Sequence, residues 1–557
     1  ISECDRMFIS NPDGRKNGSF SSSEMLNPHN HSRQCIYTFI AADNERVKVT
    51  FTVFRLKGAP PECAHEFVDL YTEIEDSATE LIKTPFGGRY CGKILPQTRI
   101  SLYQTLVISF YTNRNEITSD VFSGTYEFVD ATRYELGTPL PTSVCSFTIF
   151  SDHKRKGKIL SPTYPGVYPK NLKCQYRFLG AGGQRVRLEF MDFDLFYGGR
   201  HCPFDIVQIY DGATTQDPLI DTYCGQQRNL VVYSSAENLL VLFITLKRTA
   251  NTQNRGFSGW FEFSESFTKL GFIEDSGGQH IRGTECDQKV FSKGHSNGTV
   301  YSPNWSSFYH PNIVCKYYIY GLNDRQNLER VTLTFEQFDI PSENNDCEEA
   351  YLKIYLNGQE TKQAFDEYDH VFCGQELPIP LVSNGPRLFI VFSSGPSQGL
   401  GFKAKYTFET EYKIPGTPAP DDTCHFTYRS ESRKSGEFNS PRYPANYPSN
   451  THCQYYFRGL QGDQVQFVFN YFKTKTLPQN VPGYNEVCKE DWLEIYEIYP
   501  NGREKALGRY CSTTSPGPVV SDVGIHDMKV VLKTNEEGVA SGFSATYQFI
   551  ESHQQFQ

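Results

Sequence analysis

The stretch Ser161-Pro162-Thr163-Tyr164-Pro165-Gly166-Val167-Tyr168-Pro169-Lys170-Asn171-Leu172-Lys173-Cys174 recurs as a frame elsewhere in the 557-residue chain. It returns as Ser440-Pro441-Arg442-Tyr443-Pro444-Ala445-Asn446-Tyr447-Pro448-Ser449-Asn450-Thr451-His452-Cys453. A looser version runs from Ser302-Pro303-Asn304-Trp305 through Tyr309-His310-Pro311-Asn312 to Cys315, and only Asn27-Pro28 survives of it before Cys35. Its tyrosine-proline steps suit an extended edge segment, because proline cannot donate to a strand ladder. A motif recurring at wide, regular intervals marks an internal repeat.

Each copy ends on the second cysteine of a tetrad. The tetrads are Cys4, Cys35, Cys63, Cys91; Cys145, Cys174, Cys202, Cys224; Cys286, Cys315, Cys347, Cys373; and Cys424, Cys453, Cys488, Cys511. Their first members lie 141, 141 and 138 residues apart. An even count at a fixed period indicates a disulfide framework made in an oxidising compartment. Zinc would need cysteines two to four residues apart, and no such pair exists. Four cysteines can pair in three ways, and spacing alone does not choose. Pairing first with second and third with fourth would clip neighbouring strands, closing loops worth about 3 kcal/mol each.

After the second cysteine every repeat has an alternating apolar run: Val47-x-Val49-x-Phe51, Val186-x-Leu188-x-Phe190, Val331-x-Leu333-x-Phe335 and Val465-x-Phe467-x-Phe469. Period-2 alternation puts one face inward and one in water. An aromatic residue precedes each fourth cysteine, as in Tyr90-Cys91 and Phe372-Cys373, and each repeat closes on a run such as Phe257-Ser258-Gly259-Trp260-Phe261. With 14% aromatic residues, 43 Gly and 31 Pro, the composition favours strands and turns. The expected fold is all-β: four tandem antiparallel β-sandwiches. The domains expected are residues 1–130, 145–265, 286–410 and 424–551. The proline-rich linkers Glu135–Thr142 and Lys413–Pro420 read as semi-rigid. The segment Ser264–Thr284, with Gly271, Gly277, Gly278 and Gly283, reads as a more flexible joint between two pairs of modules.

The chain resembles the CUB-domain family, whose opening signature is the quoted frame; the resemblance covers all four repeats. It implies first-to-second and third-to-fourth bridges: Cys4-Cys35, Cys63-Cys91, Cys145-Cys174, Cys202-Cys224, Cys286-Cys315, Cys347-Cys373, Cys424-Cys453 and Cys488-Cys511. Many CUB domains bind one Ca²⁺ through a Glu before the third cysteine, an Asp three residues after it and an Asp in the last hairpin. Here those places hold Lys57, Phe196, Pro341 and Lys475; Glu66, Asp205, Ala350 and Asp491; and Asn113, Leu246, Gly395 and Asn535. No module keeps three carboxylates, so no metal or other cofactor is expected. The least degraded set is Asp491 with Asn535, with Glu486 nearby as a substitute.

No catalytic constellation emerges. Gly395-Pro396-Ser397-Gln398-Gly399 matches a nucleophile elbow, which requires a strand turning into a helix, and here it lies in a hairpin. The His29-Asn30-His31 pair lacks metal-ligand partners. A net charge of −10 argues against nucleic acid, and the basic run Lys154–Lys158 reads as a solvated loop. Asn17, Asn30, Asn297 and Asn304 head glycan-acceptor tripeptides, which agrees with secretion. Binding is expected at surface patches, and the loop Leu195–His201 offers Phe196, Tyr197 and Arg200 as partner-binding candidates.

No window approaches the ~20 apolar residues of a membrane span. Ile1-Ser2-Glu3-Cys4 carries no leader pattern, so the chain is expected to be a mature or trimmed form, with room for an anchor after Gln557. The four-module arrangement resembles the suppressor-of-lurcher auxiliary proteins of invertebrate AMPA/kainate-type glutamate receptors. That implies a non-catalytic, membrane-anchored subunit outside the cell, at the synapse, contacting an ionotropic glutamate receptor and modulating its gating. The alternative is a secreted or cell-surface adhesion or ligand-binding protein of the cubilin or spermadhesin kind.

Overall fold

The computed structural model describes the chain except residues 1–3, 23–33, 77, 79, 115–119, 248–252, 295, 324–327, 359–366, 411–413, 422, 477–487, 538 and 553–557. Asn30, the His29/His31 pair, Asn27-Pro28 and Glu486 lie outside the described residues. The chain forms two compact units, residues 1–268 with 281–285, and residues 269–280 with 286–557.

Within the first unit, the second module shows the plan. One sheet orders Thr138–Pro139, Phe147–Phe150, Lys173–Leu179, Asn238–Ile244, Ile206–Tyr210 and Leu219–Tyr223; the other orders Lys156–Leu160, Gly256–Ser264, Arg185–Asp194 and Val231–Tyr233. The inward faces enclose a core of Tyr176, Phe178, Val186, Leu188, Phe190, Val241 and Phe257. The first module repeats this plan with a five-stranded and a four-stranded sheet. In the second unit, both modules have six-stranded and four-stranded sheets in the same order as the second module. Pairing is antiparallel apart from one strand pair in each module, where the strand after the first cysteine runs parallel to the strand of the second, as Phe147–Phe150 does beside Lys173–Leu179. The sixteen cysteines form the eight first-to-second and third-to-fourth bridges.

The alternating run breaks at one place in every module. After Phe51, Phe190, Phe335 and Phe469 the register slips by one residue, and the next inward side chains are Phe54, Phe193, Phe338 and Phe472. A bulge adds one unpaired residue and bends the strand, so a Phe-x-x-Phe spacing keeps both rings on the core face. At the other end of this strand the amide of Val47, Val186, Val331 or Val465 donates to the hydroxyl of Ser101, Ser234, Ser383 or Ser521.

The quoted frame is a turn-bearing crossover, not an edge strand. Ser161 packs against Gly256, where a Cβ would lie 2.2 Å from its hydroxyl, and that hydroxyl accepts from the Phe257 amide. Asn171, Asn312 and Asn450 adopt φ of 59°, 60° and 51°, a left-handed geometry that asparagine tolerates. The tyrosine-proline steps thus shape a loop between the two sheets, for which ladder pairing is irrelevant.

That loop also joins the first two modules. Gly166 approaches the first module so closely that a Cβ would lie 2.7 Å from the Ile100 nitrogen. The Val167 amide donates to the Thr98 carbonyl, Gln97 N–H donates to Gln253, and Arg46 donates to the Pro162 carbonyl while stacking on Tyr134. Ile100, Tyr134 and Leu160 form a small core of their own, with Tyr164 packed against it.

The linkers differ from expectation. Thr138–Pro139 and Thr417–Pro418 pair as edge strands of the module that follows. The segment Ser264–Thr284 holds the boundary between the two units, each of two modules, and its parts pack within one unit or the other. In the first unit, Arg185 donates to the carbonyls of Ser234, Thr268, Thr284 and Glu285, and Phe267 packs edge-on against Tyr233. In the second unit, the short helix Gly271–Asp275 buries Phe272 and Ile273 in the third module's core, and Gln279–His280 pairs with Gln288–Phe291. Gly277 and Gly283, at φ of 71° and 88°, serve left-handed turns in a packed segment.

Candidate functional site

The acid three residues after the third cysteine sits at the same place in the first, second and fourth sandwiches. In the second module Asp205 is fully buried; its Oδ2 accepts from the Tyr168 hydroxyl at 2.6 Å and its Oδ1 from the Leu246 amide at 3.0 Å. The fourth module repeats this: Asp491 accepts from Tyr447 at 2.5 Å and from the Asn535 amide at 2.8 Å. The tyrosine is the last of the quoted frame, and its hydroxyl accepts from the amide of Phe196 or Lys475. Burial raises the Asp491 carboxyl above its ordinary range, although the Tyr447 and Asn535 hydrogen bonds pull it down. In the first module Glu66 takes this role, accepting from the Lys57 amide, Thr112 and Arg114.

A calcium ion needs oxygen lone pairs converging on one point. Here N–H and O–H donors converge on each carboxylate, and the residues aligned with the family's first ligand supply backbone amides instead of carboxylates. Among the described residues, the set does not fit a family-type calcium site in the first, second or fourth module; Glu486 lies outside them. Among the described residues, no group of three or more His, Cys, Asp or Glu is arranged to hold a metal. The third module departs differently: Ala350 removes the acid, Pro341 has no amide hydrogen, and the buried Tyr309 hydroxyl has no hydrogen-bond partner. Burial and the Asp339 charge both push that hydroxyl's pKa upward.

The surface loop Leu195–His201 is divided. Phe196 packs on Phe204 with ring centres 5.4 Å apart, whereas Tyr197 is 60% exposed and Arg200 is also exposed. Asn17, Asn297 and Asn304 are exposed, as glycan attachment requires. Ser397 donates to the Pro341 carbonyl, and strand Gly401–Thr410, not a helix, comes next. Lys158 lies over the Trp260 ring at the sheet surface. Sequence reasoning missed two recurrent features whose signal was present: the frame's last tyrosine, and the arginine preceding the alternating run (Arg46, Arg185 and Arg330, with Gln464 in the fourth module).

The chain belongs to the CUB-domain family, whose profile matches residues 10–126, 145–261, 286–406 and 424–547. Cubilin of Canis lupus familiaris is 27% identical over 554 residues, covering 98% of this chain and 12% of cubilin. Tolloid-like protein 1 of Mus musculus is 23% identical over 589 residues, covering 96% of this chain and 53% of that protein. The chain therefore spans about half or less of the length of these relatives. Among solved structures, the CUB1-EGF-CUB2 domain of human MASP-1/3 aligns over 71% of this chain and 100% of its own at 15% identity, with a TM-score of 0.21.

Proposed function

We propose that the chain is a non-catalytic, extracellular ligand-binding array that recognises protein partners through module surfaces and without calcium. The observation that carries this reading is that Glu66, Asp205 and Asp491 each accept hydrogen bonds from neighbouring donors, while no group of three or more His, Cys, Asp or Glu among the described residues is arranged to hold a metal. Eight bridges use every cysteine, and the one elbow-like motif holds its serine against a backbone carbonyl. Tyr197 and Arg200 are partner-binding candidates on the second module. Linked modules add weak contacts through effective concentration.

Likeness to cubilin and tolloid-like proteins supports a ligand-binding or adhesion role better than a receptor-auxiliary one. The tandem of four modules alone supports the second reading, a synaptic glutamate-receptor subunit. The test is cross-linking of the tagged full chain to cell-surface proteins, with and without EDTA. Capture that survives chelation supports the proposal; capture abolished by EDTA and restored by calcium contradicts it. An ionotropic glutamate receptor among the captured proteins would support the second reading.

A further inference from the structure

In the first module, the strip Leu95-Pro96-Gln97-Thr98-Arg99-Ile100 is the surface on which the second module's loop docks. Thr98 receives the Val167 amide, and Ile100 is only 1% exposed beneath Gly166, Tyr134 and Leu160. The third module presents the same strip as Leu377-Pro378-Ile379-Pro380-Leu381-Val382. The registers agree: Val49 pairs with Arg99 and Lys48 with Ile100, as Leu333 pairs with Leu381 and Thr332 with Val382. Here the strip is more apolar and uncovered: Leu377 is 53% exposed, Ile379 61% and Val382 40%. Pro378 and Pro380 have no amide hydrogen, so neither offers the donor a pairing strand would need.

Among the described residues, the loop that covers this place in the first module has no equal in the third or fourth module. Its fit depends on Gly166, and the corresponding residues are Ser307 in the third module and Ala445 in the fourth. A Cβ at that point would sit 2.7 Å from backbone, so the fourth module's loop does not match the strip as Gly166 matches Ile100, and in a second copy Gly166 is already seated on that copy's own first module. The fourth module's equivalent strip is Ser515–Val520, where Val520 alone is an exposed large apolar residue.

We infer that the strip Leu377–Val382 is a docking surface for an extended, uncharged loop of a protein partner. That loop has a glycine at closest approach, apolar side chains beside it, and a backbone N–H directed at the Pro380 carbonyl, which stands in register with that of Thr98. The inference rests on the proposed ligand-binding role and assigns one of its surfaces.

The test uses the full chain with labelled Ile, Leu and Val methyl groups and a synthetic peptide copying residues 160–167, Leu-Ser-Pro-Thr-Tyr-Pro-Gly-Val. In the chain itself, the first module's strip is already covered. The methyl signals of Leu377, Ile379 and Val382 should shift saturably. Ile379→Asp, at an exposed position, should weaken binding at least tenfold, and so should alanine in place of the peptide's glycine. No shift at millimolar peptide, shifts at Val520 instead, or binding unchanged by Ile379→Asp overturns the inference. Strip signals that move with protein concentration alone would also overturn it, in favour of a second copy. Cell-surface capture that Ile379→Asp leaves intact would sink the strip and spare the proposed function; a peptide-binding strip on a chain that captures nothing would do the reverse.

Discussion

At the scale of single residues, the acid after the third cysteine shows how a ligand position becomes structure. Asp205 and Asp491 were visible in the sequence, but their partners were not: Tyr168 lies 37 residues from Asp205 and Tyr447 lies 44 from Asp491, and only the folded crossover brings each pair together. Lys57 and Lys475 read as cations standing at an ion site, yet it is their backbone amides that turn toward it, Lys57 donating to Glu66 and Lys475 to the hydroxyl of Tyr447. Tyr447→Phe removes a hydrogen bond from a half-closed carboxylate and should destabilise the fourth module by about 1.5–3 kcal/mol, measured by denaturant unfolding. Glu73, close enough to Lys170 of the second module to feel its charge, titrates unusually. Burial raises its carboxyl from 4.5 to about 7, against the pull of Lys170. Below 4.5 it is protonated in both folded and unfolded chains; between 4.5 and 7 the unfolded chain ionises first and stability falls; above 7 the full penalty remains. Calorimetry of Glu73→Gln should therefore show a higher Tm than the parent at about pH 8 and no difference at about pH 4.

At the scale of elements, strands and their inward faces were legible because alternation and aromatic residues point to one core face. The bulge was also written in the sequence, as Phe-x-x-Phe in all four runs, but without the partner strand it reads only as a broken alternation. Edge pairing was hidden. Thr138–Pro139 and Thr417–Pro418 carry linker composition, and their pairing depends on the module that follows. At Ser264–Thr284 composition points to the boundary between two pairs of modules, where the two units divide, but it does not disclose that Phe272 and Ile273 are core residues. Arg185 ties part of that segment through four backbone carbonyls. Arg185→Met should raise amide hydrogen exchange in residues 281–285, most visibly at Gly283 and Thr284, and leave the strands of the second module protected.

At the scale of the molecule, the tetrads and the repeated frame specify four sandwiches with two staples each, and the family profile agrees. Function was less legible, since surfaces are set by what folding leaves exposed. Loop composition points to Tyr197, which is exposed, and equally to Phe196, which is half-buried against Phe204. The strip Leu377–Val382 drew no notice in sequence because a short apolar run ordinarily reads as core. The central claim is that these modules fold and bind without calcium. A ligand that binds only the native state at a hundred times its Kd adds about 2.7 kcal/mol to stability. The most direct measurement is thermal unfolding of the full chain in millimolar calcium and in excess EDTA. The account predicts superimposable transitions; a transition raised by several degrees in calcium and reversed by EDTA would contradict it.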